Sequence, residues 1–227
     1  MSTPASSGEI RAAGWYGKLP ALGDFASRRL PASFVAPWDR WLAAGLQESR
    51  ARLGEAWLPA YLSSPVWRFF AMPDALGAPP GDPARACWSG VVMPSVDRVG
   101  RYFPLTIAAP FDAAPASTDT FTLLWRWLHE IERIALAALR FDRPVSWLEA
   151  HLAEQTPPGM RAGRRAWPKA ASIDACSVWT ALKSDRAEVA GTSANASADA
   201  VPRYALWIAP GLPDAELFVT LLTGGRS

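Results

Sequence analysis

Histidine and cysteine, on which most metal sites and many nucleophilic mechanisms depend, are scarce in this chain of 227 residues. His129 and His151 are the two histidines, and Cys87 and Cys176 are the two cysteines. Two thiols in a chain of this length do not make a disulfide framework, and no histidine lies at metal-ligand spacing from either of them. We therefore expect no metal site, and we interpret both cysteines as small buried hydrophobic residues.

Sequence motifs of catalysis are missing as well. The chain has no Gly-x-Ser-x-Gly elbow, no His-Glu-x-x-His pair and no Cys-x-x-Cys pair. The segment GKLPALGDF at 17–25 resembles a phosphate loop only superficially, because its lysine comes too early and its proline lacks an N–H. The sequence therefore predicts no catalytic residues and no bound cofactor.

A large excess of positive or negative charge and long apolar runs are also lacking. The formal net charge is +2, which gives no general attraction to nucleic acid or to an anionic membrane. The N-terminal segment has neither the basic start nor the apolar run of a signal peptide, and no apolar run reaches the roughly 18 residues of a membrane span. We expect a cytoplasmic protein that neither inserts into membranes nor binds nucleic acid.

The residues that are abundant predict a globular α+β protein. Half of the chain is hydrophobic and 19% is charged, which is typical of a soluble protein with a large core. The predicted strands are 14–18, 66–72, 86–93, 103–109, 176–182 and 204–209. The predicted helices begin at Pro37, at Glu55, at Ser117 or Thr118, at Pro144 and at Asp214.

This order of elements predicts one domain over residues 11–225. Consecutive strands with short connections favour antiparallel pairing, so we expect a mostly antiparallel sheet with helices packed on its faces. Residues 1–10 are rich in Ser, Thr, Pro and Gly, and we expect them to form a disordered tail.

One candidate site is the charged turn in GVVMPSVDRVGRYFPLTIA, residues 90–108. Two apolar runs flank Asp97, Arg98 and Arg101, although most turns use uncharged Gly, Asn or Ser. The carboxylate of Asp97 can accept from backbone amides or pair with either arginine, while Gly100 can supply a positive φ. An ion-paired structural turn and a loop that recognises a partner both fit these residues.

A second candidate loop, 17–29, contains Lys18, Asp24 and Arg28. Asp24 follows Gly23, and we expect it to close a turn or to pair with Arg28 or Arg29. If the loops 17–29 and 95–101 met, their charges would form one concave pocket. The alternative function is therefore an enzyme or a small-molecule sensor with this pocket as its site.

Three strings, GWYGKLPALGDF, SPVWRFF and GVVMPSVDRVGRYFPLTIA, resemble the TagF family of type VI secretion-associated proteins, also called ImpM. The resemblance is dense from Gly14 to about Pro110 and continues more loosely through SWLEAHL, SVWTALK and GLPDAELFVTLL. It implies a cytoplasmic factor that restrains the secretion machine after translation, with an FHA-domain scaffold protein as its partner. It carries over no catalytic residue.

The resemblance and the missing catalytic motifs together predict a non-enzymatic regulator that acts through protein–protein binding. The sequence leaves open which surface binds the partner, which signal relieves repression, and whether the chain forms oligomers.

Overall fold

Seven strands form one sheet in the computed structural model, which describes residues 12–77, 86–111, 117–158, 175–182 and 204–224. The predicted tail at 1–10 and both end residues of the predicted domain lie outside these ranges. The strands are β1 Gly14–Gly17, β2 Ala26–Arg28, β3 Trp67–Ala71, β4 Cys87–Met93, β5 Leu105–Phe111, β6 Cys176–Leu182 and β7 Tyr204–Pro210. Every strand pair is antiparallel, in the order β2-β1-β5-β4-β3-β6-β7. The predicted α+β fold with an antiparallel sheet is confirmed.

Helices pack on both faces of this sheet. They are α1 Ala32–Leu53, α2 Trp57–Ser63, α3 Thr118–Arg140, α4 Val145–Glu154 and α5 Ala215–Leu222, with a short 3-10 helix Gly54–Ala56 between α1 and α2. No helix in the described ranges combines the length and the apolar composition that a membrane crossing requires.

The alternation of side chains along each strand creates two separate cores. On β3, Phe69 faces the core of α1, α2 and α5, while Phe70 faces α3. Aromatic rings dominate the first core: Trp38 of α1 lies 4.6 Å from the Phe69 ring and 6.0 Å from that of Trp179 on β6. The second core holds the aliphatic residues of β4, β5, α3 and α4.

Helix α1 begins at Ala32, so the prediction that Pro37 opens it is wrong. Pro37 lies inside the helix, where it cannot donate to the carbonyl group of Ser33. The first turn forms nevertheless because Phe34 and Trp38, one turn apart, stack at 5.2 Å and are both fully buried. Burial of two aromatic side chains outweighs the loss of one hydrogen bond.

Helix α3 begins at Thr118 and is capped by Ser117, one of the two capping residues that the sequence predicted. The side chain of Ser117 accepts from the backbone N–H of Thr120, and the side chain of Thr120 accepts from the backbone N–H of Ser117. On this helix Trp127 is buried against Phe111, whereas Phe121 is 51% exposed.

A close approach between α1 and α5 generates a prediction about stability. Gly45 faces Phe218, and a Cβ atom at Gly45 would lie 2.4 Å from the ring. Gly45→Ala should therefore destabilise the protein by about 1–3 kcal/mol through overpacking, although alanine is the better helix former. Chemical denaturation measures this change.

Ala44→Gly is the matched control for Gly45→Ala, because Ala44 is exposed on the same turn of α1. It should cost about 1 kcal/mol of helix propensity alone. A Gly45→Ala protein more stable than the unmodified one would show that α5 does not press on α1.

Candidate functional site

The two charged loops of the sequence meet because β1 pairs with β5. In this antiparallel pair Tyr16 lies opposite Thr106, so the residues after β1 lie beside the turn that precedes β5. Gly17 makes the approach possible: its φ is +130°, and a Cβ atom there would lie 2.1 Å from the carbonyl oxygen of Pro104. A pairing between strands about 90 residues apart therefore brings Lys18 to Asp97.

Asp97 is the centre of the joined loops, and its carboxylate accepts four hydrogen bonds. One oxygen accepts from Lys18 Nζ at 2.9 Å and from Arg101 Nε at 2.7 Å. The other accepts from the backbone N–H groups of Val99 at 3.1 Å and of Arg101 at 2.9 Å. Asp97 and Lys18 are only 3% and 4% exposed. The turn 97–101 is thus organised around one buried carboxylate.

These contacts decide the protonation state of Asp97. Burial alone would raise the pKa of its carboxyl group, since desolvation disfavours the charged form. The backbone and side chain of Arg101 and the ammonium group of Lys18 outweigh that effect, and they hold the pKa well below its usual range. Asp97 is therefore ionised at neutral pH, and its ionisation favours the folded state.

Hydrogen bonds to backbone carbonyl groups connect the two loops further. Ser95 Oγ donates to the carbonyl group of Lys18 at 2.6 Å, and the N–H of Arg98 donates to the carbonyl group of Leu22 at 3.1 Å. Arg101 Nη2 donates to the carbonyl group of Gly23 at 2.6 Å. The loop after β1 is therefore attached to the β4–β5 turn at several points.

Two residues that hold the joined loops together, Tyr61 and Ser95, are not among the site residues predicted from the sequence. The hydroxyl of Tyr61, on α2, donates to the carbonyl group of Ser95 at 2.9 Å and accepts from its N–H at 3.0 Å. Both residues are buried. An alternating apolar pattern shows which residues are buried but not which hydroxyl meets which backbone group, so the sequence held no signal for this contact.

The remaining predicted residues lie at the rim or outside the assembly. Arg98 is exposed, and Asp24 is exposed with its carboxylate 3.9 Å from Arg101 Nη2. Arg28 is on β2, not in a loop, and its guanidinium donates to the carbonyl group of Ser27. Of the six candidate residues, Lys18, Asp97 and Arg101 are bonded together, Asp24 and Arg98 form the exposed rim, and Arg28 takes no part.

The expected pairing of Asp24 with Arg28 or Arg29 is wrong. Asp24 instead accepts from the backbone N–H of Phe25 at 2.8 Å. Arg29 pairs with Glu149 on α4 and donates to the carbonyl group of Ala13. The short β2 turns the chain away from Asp24 and directs Arg29 to the other face of the sheet.

The buried carboxylate generates a prediction about pH. The pKa of Asp97 in the folded protein is below the ordinary value of 3.8, so its ionised form stabilises the protein at any pH above 3.8. This contribution is lost as the pH falls below 3.8 towards the pKa of the folded state. Asp97→Asn should therefore lower the melting temperature strongly at pH 7 and progressively less below pH 3.8.

Asp24→Asn is the control for Asp97→Asn, since it removes an exposed carboxylate from the same assembly. It should change the melting temperature little at any pH. A difference between Asp97→Asn and the unmodified protein that stayed constant from pH 7 to pH 2 would contradict the depressed pKa.

A family model and a solved structure match the chain. The model of the TagF N-terminal domain, described as type VI secretion system-associated, matches residues 14–155. The crystal structure of PA0076 from Pseudomonas aeruginosa PAO1 is 35% identical in sequence and has a TM-score of 0.71, with 95% of this chain and 96% of that chain covered. No curated protein matches the chain. The chain belongs to the TagF family and is a type VI secretion-associated protein.

Proposed function

We propose that this protein is a non-enzymatic cytoplasmic repressor that restrains type VI secretion after translation by binding another protein. Its family membership supports a role in that secretion system. The proposed partner is the FHA-domain scaffold protein of the same system, as the sequence resemblance implies.

The observation that carries the non-enzymatic part is the saturation of Asp97. A general base needs a pKa near the working pH and a free lone pair within reach of a substrate proton. Asp97 has a depressed pKa and is buried, and its two carboxylate oxygens accept hydrogen bonds from four donors of the protein. Such a carboxylate stabilises a turn and is poorly suited to catalysis.

One observation favours the alternative function, an enzyme or a small-molecule sensor. The loops 17–29 and 95–101 do meet, as a shared pocket would require. Lys18 and Asp97 are buried and bonded to each other, however, so neither charge is accessible to a ligand. We therefore rank this function second.

Deleting the gene in its native bacterium tests the repressor proposal. Export of the tube protein of the secretion system should rise while its transcript level stays unchanged, because the repression acts after transcription. Immunoblotting of the culture supernatant and transcript quantification measure the two quantities. Unchanged export on both deletion and overexpression would refute repression.

Arg98 provides a test of partner recognition by the exposed rim. Its side chain is in solvent, so Arg98→Ala should leave the melting temperature nearly unchanged. Affinity for the purified scaffold protein should fall by about two- to fivefold, as is typical of a rim charge worth about 0–1 kcal/mol. Isothermal titration calorimetry measures the affinity.

Arg40→Ala is the matched control for Arg98→Ala, because Arg40 is an exposed arginine on α1 and belongs to neither loop. It should leave affinity unchanged. Equal affinities of the Arg98→Ala and Arg40→Ala proteins would show that the rim does not contact the scaffold.

A further inference from the structure

Strand β7 is an edge of the sheet that the described residues form, and its one protection against further pairing within those residues is Pro210 at its end. Edge strands of soluble proteins are commonly short, charged or interrupted, because a long uncharged edge invites another strand to pair with it. The opposite edge follows this rule, since β2 has three residues and ends at Arg28. β7, by contrast, has seven residues, YALWIAP, none of them charged.

Half of the backbone groups of β7 point away from the sheet. In an antiparallel strand the N–H and C=O of one residue point to the same side, and the side alternates along the strand. The carbonyl group of Ala175 accepts from Gly211, and that of Cys176 accepts from Met72. With the register of Ser177 opposite Ala209, this places the backbone groups of Tyr204, Leu206 and Ile208 at the outer edge.

The side chains beside this edge form an apolar surface. Leu206 and Ile208 are 63% and 66% exposed, on the face of the sheet where α3 lies. A cavity of about 450 Å³ lies next to them, between α3 and the strands β3, β6 and β7. Its lining includes Phe70, Leu124 and Leu128.

Of the described residues that line this cavity, Arg68 alone is charged. Its guanidinium is buried, with Nε bonded to Glu132 at 2.6 Å and Nη2 lying 3.2 Å from Nδ1 of His129. The rings of Trp125 and Tyr204 lie 4.4 Å and 5.9 Å from it. Nη1 has no hydrogen-bond partner among the described residues, and an unpaired buried donor costs free energy until an acceptor reaches it.

We propose that the β7 edge binds an extended segment of the scaffold protein, which adds a strand to the sheet and carries an acidic side chain for Arg68. The added strand pairs with the outward groups of Leu206 and Ile208, and its aliphatic side chains cover theirs. The carboxylate accepts from Nη1 beside Tyr204. This inference rests on the proposed function, because it takes the scaffold as the partner.

The chemistry of β7 disfavours a second copy of this chain as the occupant. A β7–β7 pair would cover the aliphatic side chains, but the strand contains no Asp or Glu and so provides no carboxylate for Arg68. A partner segment with aliphatic residues and one acidic residue satisfies the edge, the apolar side chains and the guanidinium together.

Proline at position 208 tests the edge directly. Ile208→Pro removes an outward N–H and places a ring where the added strand would lie, while the bonds to β6 come from other residues. Pro210 already occupies an outward position of the same strand. Ile208→Pro should weaken scaffold binding about tenfold or more, and Ile208→Ala, which keeps the N–H, should weaken it clearly less.

Two variants of opposite charge at position 206 test whether the partner segment carries an acidic side chain. Leu206→Glu and Leu206→Lys remove the same apolar group but add opposite charges, so Glu should weaken binding several-fold more than Lys. Leu62→Glu is the matched control on α2, where the leucine is 59% exposed, and it should leave affinity unchanged. Melting temperatures verify that each variant is folded.

The outcomes separate this inference from the proposed function. Failure of the unmodified protein to bind the scaffold overturns both. Binding that survives Ile208→Pro in a folded protein overturns the strand addition alone, and equal effects of Leu206→Glu and Leu206→Lys overturn the acidic side chain. A dimer in light scattering that Ile208→Pro dissociates would assign the edge to a second copy and overturn the partner proposed here.

Discussion

The ion pair between Lys18 and Asp97 connects two loops that are 79 residues apart in the chain. A buried carboxylate is costly unless donors surround it, and Asp97 obtains its donors from the segment after β1 and from its own turn. The same turn holds Ser95, which bonds Tyr61 of α2. One side chain thus orients the β1–β2 end of the sheet, the β4–β5 connection and the first aromatic core relative to one another.

Local patterns in the sequence predicted much of the fold and little of its long-range pairing. β3, β4 and β5 follow one another in the chain, so their apolar runs indicated both strands and partners. The pairings of β1 with β5 and of β3 with β6 join segments far apart in the chain, and no local signal specifies them. β2 escaped prediction because three residues carry no recognisable alternation.

The candidate site shows the same division between local and distant information. The sequence placed Asp97, Arg101 and Gly100 in one turn, where their bonds are local. It could not decide which charges are buried, because that depends on Lys18 arriving from another strand. Arg68 is the clearest omission: its charge lies within an apolar strand motif, and its partner Glu132 comes from α3, 64 residues further along.

The contact between Trp38, Phe69 and Trp179 has a consequence for how the family's domain boundary is understood. The family model ends at residue 155, yet β6 contributes Trp179 to the core of α1, and α5 packs Phe218 against Gly45. A fragment cut at that boundary would leave β3 as an edge strand, paired only with β4, and would expose the side of α1 that packs on Trp179 and Phe218. The segment that the family model matches is therefore shorter at its C-terminal side than the packed structure to which it belongs.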